Sequence, residues 1–110
     1  MIETMLETAP LYSSLSDDPD LAELVADFVA ELPARIGALE EMAAQGNWPD
    51  LGRIGHQLKG AAGSYGFDVV TPFAAALESA AKAGVAAEEI RQAAERLASV
   101  CRRLQAGVPQ

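Results

Sequence analysis

Residues 51–67 read LGRIGHQLKGAAGSYGF, and the reading of this stretch decides the fold. It holds the only histidine of the chain, His56, inside a helical pattern studded with glycine. Advancing about 100° per residue from His56 places Leu51, Ile54, Leu58, Ala61, Ala62 and Tyr65 within roughly 60° of the opposite pole. Such a stripe suits a core, so the imidazole is expected to face water. Gly52, Gly60 and Gly63 fall within about 40° of the histidine, and Arg53 and Lys59 flank it at about 60°.

Each interior glycine costs a helix about 1 kcal/mol relative to alanine. Three of them around one exposed ring are therefore expected to provide access, because a missing Cβ lets a protein or a phosphoryl group come close. Lys59, one turn on from His56, can neutralise anionic charge placed on the ring. An ordinary imidazole titrates near about 6.5 and is mostly neutral and nucleophilic above pH 7.

These same residues resemble a known family. His56-Gln57-Leu58-Lys59-Gly60, followed by Gly66, is similar to the H-x-L-K-G-x-x-x-x-x-G signature of histidine phosphotransfer (HPt) domains, and Leu77-Glu78 resembles that family's "LE" on the following helix. The similarity spans about residues 10–106. It implies a small helical bundle that passes a phosphoryl group between aspartates of response-regulator receiver domains, or from a sensor histidine kinase to a receiver. It further implies that His56 is the phosphorylated residue, that Lys59 is the positive group near the phosphate, and that Gly60 and Gly63 are the small positions where a receiver approaches. Leu58 and Gly66 match as packing and turn positions.

The docking surface is expected to include Gly52, Arg53, Gln57 and Ser64 around the ring. The protein is expected to need no cofactor or metal of its own, the divalent metal belonging to the partner receiver.

Composition narrows the class independently. With 110 residues, half of them hydrophobic, the chain suits one domain with a single core. A net charge of −8 argues against an electrostatic grip on nucleic acid or on an anionic membrane. No apolar run approaches the roughly 20 residues that span a bilayer, and residues 1–10, MIETMLETAP, carry acids where a signal peptide has bases. A cytoplasmic monomer is the expectation. Cys101 shares a register with Leu97 and Leu104 and reads as a small core residue.

Outward from the central stretch, residues 1–19 read as a loose arm with one short helical turn laid across a bundle of residues 20–106. From Leu21 to Ala43 a helical period passes through Pro33, where a kink or break near Leu32 is expected, after a start capped by Asp17, Asp18 or Asp20. Gly46 ends that helix and Asn47 caps the next, which runs to about Tyr65. A further helix starts near Asp68 or at Thr71-Pro72 and stops at Ala83-Gly84, and the last is expected over about residues 87–106. Short connections between these helices predict an all-α, up-and-down antiparallel four-helix bundle with a short N-terminal arm.

Other chemistries fit less well. No second histidine or cysteine has metal-ligand spacing around His56. Gly60-Ala61-Ala62-Gly63 matches the bare GxxG of KH domains, against which the acidic balance and missing strands argue. A hydrolase using His56 as general base lacks a positioned nucleophile and an orienting carboxylate. The nearest alternative is an HPt-like interaction module that binds a receiver or kinase without carrying phosphate, and the presence of both His56 and Lys59 disfavours it.

Overall fold

Residues 9–108 are described by a computed structural model. Asp18 is the residue that opens the first helix: its carboxylate accepts from the Asp20 amide at 2.9 Å, and Pro19 sits where a helix needs no amide donor. This helix, α1 (Pro19–Gln45), buries Val25, Phe28, Leu32, Ile36 and Leu39. It runs as one helix through Pro33, so of the expected kink or break near Leu32 the break does not occur. Gly46, at φ 72°, turns the chain, and Asn47 starts α2 (Trp48–Ser64) by exchanging two hydrogen bonds with Asp50.

A single 3-10 turn, Asp68–Val70, precedes α3 (Thr71–Ala83), so the chain starts α3 at Thr71-Pro72 after a short prelude at Asp68. Gly84, at φ 69°, ends α3, and α4 (Ala87–Cys101) closes the bundle. Consecutive helices pack side by side and α4 returns against α1, giving the expected four-helix bundle. Leu51, Leu58, Phe67, Val70, Leu77, Ile90 and Leu97 fill its centre. Phe28 stacks on Tyr65 with ring centroids 5.0 Å apart, tying α1 to the end of α2. Cys101 is buried in the core, as its register implied, and burial pushes its thiol up to about 11. No helix among the described residues is long and apolar enough to cross a membrane.

The last helix ends at Cys101 rather than near residue 106. The physical reason is a competing partner: β2 (Leu104–Gln105) leaves the helix to pair in parallel with β1 (Leu11–Tyr12). The arm is therefore a pinned strap over residues 9–18, while residues 1–8 of the expected loose arm lie outside the described residues. Arg103 reinforces the pin, its Nε donating to the Ala9 carbonyl at 2.9 Å while its own carbonyl accepts from the Leu11 amide. Beyond β1 the strap reaches the end of α2, where Ser13 Oγ donates to the Tyr65 carbonyl and the Ser14 amide to the Gly66 carbonyl.

Gly66 is the point where the strap and α2 meet. Its φ is +81°, and a Cβ there would collide with Ser13 Oγ and lie 2.9 Å from both Leu15 Cγ and Ser14 Oγ. Gly66→Ala is expected to lower the unfolding free energy by about 2 kcal/mol or more, combining the left-handed penalty with displacement of the strap. Urea denaturation checks this, and an unchanged midpoint would mean that the strap holds nothing at that corner.

Candidate functional site

The site is made by the close approach of α2 and α3. Gly52 and Gly55 lie along their contact: a Cβ on Gly52 would be 3.2 Å from Ala81 Cβ, and one on Gly55 would be 3.1 Å from the Ala74 carbonyl oxygen and 3.3 Å from the Glu78 amide. Bare backbone on α2 thus admits the backbone of α3, and brings Glu78 beneath His56. Gly52 was expected on the open surface around the ring, but it is buried against Ala81, so its missing Cβ serves helix packing. The core stripe of α2 is rotated toward α3 relative to the periodicity, because glycine carries no hydropathy signal that reveals which neighbour it faces.

The other two glycines stand as expected in space. Among the described residues, and apart from the adjoining backbone of the same helix, nothing lies within 4 Å of a Cβ built on Gly60, and only Thr71 Oγ1, at 4.0 Å, approaches one built on Gly63. Gln57 and Ser64 are exposed nearby, Ser64 Oγ donating to the Gly60 carbonyl at 2.9 Å. Arg53 is exposed and paired with Asp50 at 2.8 Å.

His56 has 67% of its side chain exposed, whereas that of Glu78 is only 10% exposed. Three groups converge on the Glu78 carboxylate. His56 Nδ1 lies 2.7 Å from Oε2, Lys82 Nζ donates to the same Oε2 at 3.1 Å, and Lys59 Nζ donates to Oε1 at 2.7 Å. The lysines hold the Glu78 carboxyl well below its usual range, from 4.5 to about 2, with Lys59 the largest influence, then Lys82, and with His56 adding less, all against the opposing effect of burial.

An ionised carboxylate only accepts hydrogen bonds, so Nδ1 must carry the proton in its contact with Oε2. The neutral ring then has its unprotonated lone pair on Nε2, the nitrogen distal to the backbone. A groove of about 610 Å³, bordered by Trp48, Pro49, Arg53, Ala81 and Lys82, opens beside the ring.

Glu78 and Lys82 were not read from sequence as site residues, and Glu78 supplies the orienting carboxylate that the sequence reading found missing beside His56. They are the only acid and the only base in α3, four residues apart, and Glu78 adjoins core Leu77. A lone acid at the margin of an alanine-rich apolar face was the available signal. Trp48 packs partly against the core and under the Arg91 guanidinium, 5.3 Å from its ring centre, at the inter-helix corner. Among the described residues, no three His, Cys, Asp or Glu side chains gather as metal ligands.

The depressed Glu78 pKa fixes the sign of a pH effect. Between pH 4.5 and about 2 the unfolded chain takes up a proton on this group that the folded chain refuses, so its stabilisation is full above pH 4.5 and fades as pH falls toward about 2. Urea midpoints of the wild type and Glu78→Gln are expected to differ most at neutral pH and to converge across that window. A gap that stays constant down to pH 2 would contradict the ion-pair cluster.

Comparison with known proteins bears on the family of the chain. A family model described as the Hpt domain matches residues 23–107, which takes in nearly all of α1 and every later helix. No curated protein and no solved structure matches the chain. Hpt domains are phosphocarrier modules of phosphorelays that interact with receiver domains and kinases. With most of its length matched, and with the four-helix architecture in place, the chain belongs to the Hpt domain family.

Proposed function

We propose that His56 accepts a phosphoryl group from, and returns it to, an aspartate of a response-regulator receiver domain, making this protein a cytoplasmic, monomeric relay intermediate without catalytic activity of its own. The observation that carries this reading is the exposed His56 ring, oriented by an ionised Glu78 through Nδ1 with Nε2 free. In the forward step the Nε2 lone pair forms the N–P bond as the bond from phosphorus to the aspartyl oxygen breaks. The electron pair leaves on the carboxylate. Nδ1 keeps its proton, and the positive charge that develops on the ring is offset by Glu78, so no general base is needed.

The bundle contributes orientation and cationic charge beside the ring, from Lys59 and Lys82. The receiver contributes the acyl phosphate and its divalent metal. Open backbone at Gly60 and Gly63, with Arg53, Gln57 and Ser64 around the ring, forms the surface on which the receiver rests, and a sensor kinase is the other partner of the same surface.

Incubation with a phosphorylated receiver is expected to place acid-labile phosphate on the wild type and none on His56→Gln. Equal labelling of the variant would refute the assignment. A wild type that binds the receiver yet takes no phosphate would instead support the interaction-module alternative.

Access is tested separately at Gly60. Gly60→Leu adds helix propensity at an open position, so the bundle is expected to remain folded and to take phosphate from phosphoramidate, a small donor. Transfer from the receiver is expected to fall by about tenfold or more through lost docking. Unimpaired transfer from the receiver would remove Gly60 from the docking surface.

A further inference from the structure

We propose that Lys82, and not Lys59, is the cation that leaves Glu78 to meet the phosphoryl group on His56, Lys59 being the anchor that keeps Glu78 in place. This assignment rests on His56 being the phosphoryl carrier. The two lysines differ in what each would leave behind on Glu78.

Among the described residues Lys59 is the only side-chain donor to Oε1, at 2.7 Å, and its own side chain is only 35% exposed. If its ammonium moved to a phosphate, that buried oxygen would lose its partner, and an unsatisfied charged acceptor inside a fold is costly. Lys82 is held far more loosely. Its side chain is 72% exposed, its contact is longer at 3.1 Å, and the oxygen it uses already accepts from His56 Nδ1 at 2.7 Å. When Lys82 departs, Oε1 keeps Lys59 and Oε2 keeps the imidazole.

Lys82 also borders the groove beside His56, so a phosphoryl group on the outward Nε2 lies within the swing of its flexible side chain. The charge count favours the exchange. Arg53 is balanced by Asp50, and Glu78 faces both Lys59 and Lys82, leaving one positive charge in surplus before phosphate arrives. Lys82 forms no covalent bond and gives up no proton. Its release from Oε2 has a second effect: the carboxylate oxygen that it shared becomes a stronger acceptor for Nδ1–H as the ring acquires positive charge.

The test compares Lys82→Gln, Lys82→Arg and Lys59→Gln with the wild type, using phosphoramidate as donor. In Lys82→Gln the ¹⁵N signature of the Nδ1–H tautomer and the urea midpoint are expected to stay near wild type, the loading rate of His56 is expected to fall about tenfold, and Lys82→Arg to recover most of it. The ³¹P resonance of the phosphohistidine is also expected to move. In Lys59→Gln the tautomer signature weakens and the midpoint drops. Wild-type loading and an unshifted ³¹P line in Lys82→Gln would overturn the assignment. So would slow loading in Lys59→Gln with tautomer and midpoint intact. Absence of phosphate from His56 in the wild type would overturn it together with the reading beneath it, and that control separates the two failures.

Discussion

Among the described residues one buried carboxylate, that of Glu78, organises the candidate site of this bundle. Glu78 is ionised, and at the inner edge of a helix pair each of its carboxylate oxygens has a donor: Lys59 on Oε1, and His56 with Lys82 on Oε2. The requirement runs in both directions. The ring needs an acceptor to fix its tautomer, and the acceptor needs cations to stay charged so near the core. Neither condition is met unless α3 lies close enough for Glu78 to reach His56, which is where Gly52 and Gly55 enter. Helix packing at the level of bare backbone is thus the physical origin of the site's chemistry.

The rest of the fold serves that pairing at longer range. Phe28 against Tyr65 holds α1 to the far end of α2, and the strap through Ser13 and Ser14 fixes the corner at Gly66. The parallel pairing of Leu11–Tyr12 with Leu104–Gln105 joins both ends of the described chain to that corner. These contacts lie away from the imidazole and leave Gly60 and Gly63 open on its side of α2. The stable scaffold and the accessible face therefore occupy different surfaces of one central helix.

Much of this was legible in the sequence, for identifiable reasons. The four helices announce themselves through apolar periodicity and through caps whose chemistry is local, such as Asp18 with Pro19, Asn47 with Asp50, and the glycines at 46 and 84. The outward direction of His56 follows from the position of Leu51 and Leu58 alone. What could not be read depends on partners distant in sequence. A two-residue ladder at Leu104 has no periodic signal, and it shortened α4. Gly52 looks the same on a helical wheel whether it faces solvent or Ala81. The position of Glu78 under the ring is a tertiary fact that the "LE" resemblance named without explaining.

Attack by His56 depends on the orientation of one ring, and ¹⁵N NMR of the imidazole in the unphosphorylated protein measures it directly. With Glu78 ionised beneath it, the neutral ring is expected to show a protonated Nδ1 and a bare Nε2 at pH 8. A ring found mainly as the Nε2–H tautomer, or exchanging between the two as free histidine does, would contradict the claim that Glu78 positions His56 for attack.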